Sequence, residues 1–255
     1  MIKLHRFESR SLEDKYICEG YMWKVLLLGW ICEAAKPRAH INPVKLKPIG
    51  ENQANYCSFL ADQHVAILAG VGPAGCGKTA FACHAAVKAL SLGEVDRVIL
   101  TRPLVSVDEE LGFLPGSIEQ KMDPWIRPMM DIMNEFYTGN EIRRLMDDRI
   151  IEIAPLAYMR GRTFRRSFLI ADEMQNSSPN QMLMMLTRVG EGSRLVITGD
   201  LLQSDRAEAN GLADFCSRVQ TWEDTSIRYV NFGIQDVQRS PVVASILKLY
   251  ETKLL

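Results

Sequence analysis

The eight residues 72–79 place the strongest constraint on the fold of this chain. Their sequence, Gly-Pro-Ala-Gly-Cys-Gly-Lys-Thr, matches the G-x-x-x-x-G-K-[ST] pattern of a phosphate-binding loop. The apolar residues 65–71 predict a strand directly before the loop, and the alanine-rich residues 80–90 predict a helix directly after it. Because loops of this kind bind nucleoside triphosphates between a strand and a helix, the pattern predicts an α/β fold with such a site. The alternative is a glycine-rich turn before an ordinary helix.

The predicted loop offers the phosphates both backbone and side-chain ligands. The glycines allow successive backbone N–H groups to point at phosphate oxygens, and the N-terminus of the following helix adds positive charge. The Lys78 ammonium group is expected to reach the β- and γ-phosphates, and the Thr79 hydroxyl is expected to bind Mg²⁺. The residues predicted to bind the nucleotide here are Gly72, Pro73, Ala74, Gly75, Cys76, Gly77, Lys78 and Thr79.

Short apolar runs alternate with helix-forming segments along the rest of the chain. Strands are predicted at 97–101, 149–154, 167–171, 194–198 and 226–232, and helices at 119–137, from Pro179 onward and at 241–250. This alternation predicts a parallel sheet with helices on both faces. Ligands of such sheets bind at the carboxyl ends of the strands, so the residues that follow the strands are candidates for the site.

The predicted helix after residue 178 has a clear start and an apolar stripe. Ser178 is a suitable N-cap, and Pro179 suits the first helical position. The stripe is interpreted as core rather than as a cofactor site, and it consists of Met182, Leu183, Met185 and Leu186.

Two acidic residues follow the predicted strand 167–171. Asp172 is expected to hold Mg²⁺ together with Thr79, since this ion keeps several of its waters and binds few carboxylates. Glu173 is placed to orient and polarise the water that attacks the γ-phosphate. The alternative for this pair is a solvated acidic turn. With the phosphate-binding loop upstream, we interpret the pair as the second half of an ATPase site.

Hydrolysis also needs donors for the charge that develops on the γ-phosphate. Gln203 is a candidate for a side chain that contacts this phosphate or the attacking water, and its alternative is a surface amide. Arg160 and Arg162 belong to the densest basic cluster, 160–166, and Arg239 is a further candidate. Each arginine could stabilise the transition state or contact a nucleic-acid backbone, and the cluster could also be a solvated surface.

Composition limits the kinds of partner. The 30 basic and 31 acidic residues give a formal net charge of −1, so nucleic-acid binding would require a local basic patch. The six cysteines contain no C-x-x-C pair and no zinc-like spacing, which predicts free thiols in a reducing, cytoplasmic compartment. The apolar run 25–32 is too short to cross a bilayer, and we expect no membrane partner.

A block of six residues, Leu-Gly-Phe-Leu-Pro-Gly at 111–116, is far more specific than the phosphate-binding loop. The motifs that accompany it are Thr101-Arg102-Pro103, Lys121, Asp123-Pro124, Arg127-Pro128, Met159 to Phe164, Asp172-Glu173 with Gln175-Asn176, and Thr198-Gly199-Asp200. In kind and order, these motifs resemble those of the PhoH family of ATPases over residues 46–250.

The resemblance implies a RecA-like P-loop core of the kind found in superfamily-one helicases. It implies ATP and Mg²⁺ as ligands, ATP hydrolysis, and a role in unwinding or remodelling RNA. It also implies that Gln53 reads adenine, whose N6 donor and N7 acceptor a carboxamide can pair with, and that Arg239 belongs to a late arginine motif. The chain is accordingly divided into an N-terminal extension of unknown role, residues 1–45, and a PhoH-like ATPase domain, residues 46–255.

Three features depart from the family pattern. Met174 stands where an alanine is usual after the two acids, which is a conservative change. Ser240 stands where a histidine often follows the late arginine. Longer relatives carry a nuclease domain, for which the 45 residues before the core are too few, so we predict no nuclease activity.

A single RecA-like lobe is not sufficient for a helicase, which moves two lobes about a nucleotide cleft. Because the core has the size of one lobe, we expect subunits to complete one another's sites in a homo-oligomeric ring. Two other functions stay open. One is a nucleotide-dependent switch or scaffold without nucleic-acid coupling, and the other is a P-loop kinase for a small acceptor.

Overall fold

The structure, a computed structural model, describes residues 46–103, 118–204, 210–238 and 242, and only the backbone of residues 118–125. The predicted extension, the block 111–116 and most of the predicted final helix lie outside these ranges. The helices are α1 (Glu51–Ala61), α2 (Lys78–Ser91), α3 (Ile118–Phe136), α4 (Gly139–Asp147), α5 (Pro179–Leu186) and α6 (Gly211–Val219). The strands are β1 (Ile67–Val71), β2 (Arg97–Thr101), β3 (Ile151–Ile153), β4 (Ser167–Ala171), β5 (Arg194–Gly199) and β6 (Ile227–Asn231).

These six strands form one sheet in the order β3-β2-β4-β5-β1-β6, and every neighbouring pair is parallel. Strand β5 lies between β1, which leads into the phosphate-binding loop, and β4, which leads into Asp172 and Glu173. Helices cover both faces. The arrangement confirms the predicted α/β P-loop NTPase fold with a RecA-like parallel sheet.

The core consists of two layers, one on each face of the sheet. On β2, Val98 and Leu100 join the layer that contains residues of α1 to α4, whereas Ile99 joins the layer under α5 and α6. Successive side chains of a strand point to opposite faces, so the buried strands β1, β2, β4 and β5 contribute to both layers. Burial on both faces explains why the strands are continuous apolar runs in the sequence.

Helix α1 is fixed to the sheet near the phosphate-binding loop by Tyr56, which is fully buried. Its ring packs edge-to-face on Phe232 at 5.4 Å, a geometry that contributes about 0.5–1.5 kcal/mol beyond burial alone. Its hydroxyl donates to the Lys78 carbonyl at 3.4 Å. At Gly70 on β1, an added Cβ would lie 2.8 Å from this ring, so glycine permits the close approach. Tyr56 therefore ties α1, β1 and the start of α2 together.

Helix α5 begins as predicted, but its apolar stripe is narrower than predicted. The Ser178 hydroxyl accepts from the Gln181 N–H at 3.2 Å, and the Gln181 side chain accepts in return from the Ser178 N–H. Met182 and Met185 are buried, whereas Leu183 is 61% exposed. The prediction of Leu183 as a core residue is wrong, because a helix of two turns that lies on a sheet buries only one face.

The spacing of the cysteines predicts free thiols. The four cysteines in the described ranges are free thiols. Burial raises the pKa of Cys216 to about 11 and that of Cys83 further still, so neither forms a reactive thiolate at neutral pH.

Among the helices of the described ranges, none combines the length and the apolar character needed to cross a bilayer.

Candidate nucleotide-binding site

A cavity of about 240 Å³ opens at the carboxyl edge of the sheet. Its walls are formed by the phosphate-binding loop, by Asp172 and Glu173 after β4, and by Asp200 and Gln203 after β5. The residues that the sequence predicts at three strand ends therefore lie in one cleft. Because Gln203 lines this cleft and is exposed, its predicted contact with the γ-phosphate or the attacking water stays compatible with the structure.

The loop places the Lys78 side chain deep in the cleft. Gly77 caps helix α2 at φ 78°, a left-handed conformation that glycine adopts without strain. The Lys78 ammonium group donates to the carbonyl oxygens of Gly72 at 2.6 Å and Pro73 at 2.7 Å. Burial lowers the pKa of Lys78, and the neighbouring Cys76 and carboxylates only partly oppose this effect. A triphosphate would compensate the burial with its own negative charge.

Asp172 and Thr79 form the part of the site that fits Mg²⁺. The Thr79 hydroxyl donates to Asp172 Oδ1 at 3.0 Å, and the Thr198 hydroxyl donates to the same oxygen. Asp172 is only 8% exposed, so these hydroxyls hold its carboxylate in one orientation. One carboxylate, one hydroxyl and an open cleft match an ion that prefers oxygen ligands and keeps several waters. The geometry is compatible with the predicted metal-binding pair, which stays a prediction, and Thr198 is a supporting contact of Asp172.

Glu173 lies at the rim of the cleft in a left-handed backbone conformation, with φ 53°. Arg102, at the end of β2, is 3.4 Å from Glu173 Oε1. The Gln175 side chain donates to Oε2 at 2.5 Å. The Glu173 side chain is still 34% exposed, so it is accessible to water. Its position at the cleft is compatible with the predicted role toward water, which stays a prediction, while its two partners occupy both carboxylate oxygens.

Gln175 was not predicted as a separate site residue, although it belongs to the motif that follows the acids. It is buried, and its Oε1 accepts from the Asp200 N–H at 3.1 Å. Its amide nitrogen also lies 3.4 Å from the Gln203 carbonyl. At Gly199, an added Cβ would lie 2.6 Å from Gln175 Oε1, so only glycine leaves room for this contact. Gln175 thus connects Glu173 to the loop after β5.

Gln53 does not line the cleft but supports the loop from behind. It is buried, and its amide nitrogen donates to the Cys76 carbonyl at 3.2 Å and lies 3.4 Å from the Asp236 carbonyl. Its Oε1 accepts from the Ile49 N–H at 2.9 Å and from the Gln238 side chain at 2.7 Å. Because both ends of the carboxamide are occupied, adenine reading by Gln53 stays a prediction that would require these bonds to exchange.

The predicted arginines do not line the cleft within the described ranges. Arg162 pairs with Glu152 at 2.6 Å and stacks on the Phe164 ring at 4.5 Å, beside the edge strand β3. Arg160 is exposed. Arg239 lies outside the described residues. A role of these arginines in the chain's own cleft or in that of a neighbouring subunit therefore stays a prediction.

Comparison with known proteins agrees with the motifs. The family described as PhoH-like protein matches residues 45–251. A PhoH-like protein of Synechocystis sp. is 46% identical over 183 residues, which is 71% of this chain and 55% of that protein. A PhoH-like protein of Bacillus subtilis is 45% identical over 184 residues, or 71% of this chain and 57% of that protein. Protein PhoH of Escherichia coli K12 is 38% identical over 206 residues, or 79% of this chain and 58% of that protein.

Similarity to solved structures is much weaker. The Sulfolobus solfataricus SWI2/SNF2 ATPase core in complex with dsDNA gives a TM-score of 0.39 at 13% identity, covering 66% of this chain and 34% of the other. The Pif1 helicase of Candida albicans gives a TM-score of 0.36 at 15% identity, covering 74% of this chain and 40% of the other. The chain spans a little over half the length of the curated relatives that it matches. From the match over residues 45–251 and the shared identity, this chain belongs to the PhoH-like protein family.

Proposed function

We propose that this protein is a Mg²⁺-dependent ATPase that couples hydrolysis to the unwinding or remodelling of RNA. The observation that carries the ATPase proposal is the meeting of three parts in one cleft: Lys78 of the loop, the Thr79–Asp172 pair and Glu173. Family membership supports the proposal for the whole domain.

Each residue of the cleft has a separate task in the proposed reaction. The backbone of the loop and the Lys78 ammonium group hold the β- and γ-phosphates in place. Thr79 and Asp172 would hold Mg²⁺, which neutralises charge on the phosphate oxygens when it is bound. Glu173 orients a water for attack on the γ-phosphate and accepts its proton, and Gln203 contacts the same water or phosphate.

RNA is the proposed partner because of the resemblance of the motifs, and exposed basic residues outside the cleft are available for it. Arg160 and Arg165 of the basic cluster 160–166 are both exposed. The net charge of −1 provides no general attraction, so binding would depend on such local groups.

We expect single-stranded RNA to increase the rate of phosphate release from ATP, measured with and without Mg²⁺. Equal rates with and without RNA would contradict the coupling.

A nucleotide-dependent switch is the second candidate. It is favoured by the engagement of Glu173 with Arg102 and Gln175, which suits slow hydrolysis. Turnover that is insensitive to both RNA and salt would support the switch. Transfer of the γ-phosphate to a metabolite rather than to water would instead support a P-loop kinase.

We also propose that subunits complete one another's sites. The described part of the chain contains one six-stranded sheet, and neither Arg160 nor Arg162 lines its own cleft. An arginine from a neighbouring subunit would supply the missing cation. We expect light scattering to detect a homo-oligomer when ATP and RNA are present. A monomer at the concentrations at which the protein is active would contradict completion in trans.

A further inference from the structure

Glu173 is engaged at both carboxylate oxygens by side chains that are not part of the phosphate-binding loop. The Arg102 guanidinium lies 3.4 Å from Oε1, and the Gln175 amide donates to Oε2 at 2.5 Å. A general base must instead direct an oxygen toward the attacking water, within hydrogen-bond reach. Release of at least one of these contacts would therefore favour catalysis.

The strand order shows in which direction Arg102 attracts the carboxylate. Arg102 follows β2, whose last residue, Thr101, is opposite Ala171 of β4 and accepts from the Asp172 N–H at 3.0 Å. Strand β2 flanks β4 on one side, while β5 and then β1 with the loop lie on the other. Arg102 is also absent from the walls of the cleft. The ion pair thus directs Glu173 Oε1 toward β2, the side of β4 opposite the phosphate-binding loop, while Gln175 holds Oε2.

Arg102 is accessible from outside the cleft. Its side chain is 25% exposed, so an anion could contact it without entering the nucleotide site. A guanidinium can bind a phosphate through two short parallel hydrogen bonds, whereas the contact with Glu173 Oε1 is 3.4 Å long. An RNA phosphate would therefore compete well with the Glu173 carboxylate for Arg102.

We propose that Arg102 is a positioning residue that restrains Glu173 in the absence of RNA, and that a backbone phosphate of single-stranded RNA releases Glu173 by binding Arg102. The inference rests on the proposed ATPase function and adds the means by which RNA would increase the rate. Binding and activation then depend on one side chain, because the contact that Arg102 makes with RNA is the contact that Glu173 loses.

The test is the Arg102→Ala variant, assayed by phosphate release with and without single-stranded RNA. Loss of a partly exposed ion pair is expected to raise the RNA-free kcat by about three- to fivefold, with KM for ATP unchanged. The factor by which single-stranded RNA increases kcat should be smaller in this variant than in wild type. Arg102→Lys retains a cation and should keep the low RNA-free rate. The matched control is Arg218→Ala, which removes an exposed arginine paired with Asp214 on α6 and should behave as wild type.

Several results would overturn the proposal. An RNA-free rate in Arg102→Ala equal to or below that of wild type excludes the restraint, and undiminished stimulation by RNA excludes release through Arg102. Loss of binding of a fluorescent ATP analogue in both Arg102→Ala and Arg102→Gln would show a structural role instead. An RNA-free kcat that is higher in the double variant Arg102→Ala/Glu173→Gln than in Glu173→Gln alone would show that Glu173 is not involved. If wild type ignores RNA, the proposed coupling fails, while the RNA-free rates still test the restraint.

Discussion

Glu173→Gln is expected to lower kcat for ATP hydrolysis by about 10²–10⁴-fold while leaving ATP affinity unchanged. The amide has the shape of the carboxylate but cannot accept a proton from the attacking water. The predicted metal-binding pair does not depend on it, because Thr79 and Asp172 contact each other directly. The rate is measured as phosphate release, and affinity by titration with a fluorescent ATP analogue.

The matched control for this variant is Glu191→Gln, which makes the same change at an exposed position. It should have the kcat of wild type. Thermal unfolding should show little change for either variant, since Glu173 is partly exposed. A Glu173→Gln protein that hydrolyses ATP at the wild-type rate would show that another group activates the water.

Lys78→Ala is expected to reduce kcat/KM by at least about 10²-fold, and in this case ATP affinity should fall as well. Lys78 is only 8% exposed and directs its ammonium group to the loop, so no neighbouring side chain can substitute for it. Its positive charge interacts with the phosphates in the ground state and in the transition state. Titration with the fluorescent ATP analogue and phosphate release together measure both effects.

Lys88→Ala provides the control, because Lys88 is an exposed lysine on the same helix, α2. This variant should bind and hydrolyse ATP as wild type does. If Lys78→Ala retained normal affinity and turnover, the cleft described above would not be the nucleotide site.

The strands and the loop could be predicted because their signals are local. Residues 97–101 and 167–171 were predicted as strands and have these bounds in the structure, since a buried parallel strand is a continuous apolar run. The Ser178–Pro179 helix start follows from residues within one turn. Leu183 was predicted wrongly because the width of a buried helix face depends on what packs against it.

The supporting contacts of the site could not be predicted because they connect distant parts of the chain. Gln53 contacts the Asp236 carbonyl across 183 residues of sequence. The Arg102–Glu173 pair depends on β2 and β4 being neighbours, which alternation of strands and helices does not specify. Gln175 had a weak signal, since it stands in the motif after the acids, but only the fold shows that it contacts Asp200.

The central claim is that hydrolysis in this cleft responds to RNA. The most direct measurement is the rate of phosphate release from ATP with Mg²⁺ as single-stranded RNA is titrated, with wild type and Glu173→Gln in parallel. A rate that rises with RNA and saturates in wild type, and that is lost in Glu173→Gln while ATP still binds, is the predicted result. A wild-type rate that stays constant across the titration would contradict the claim.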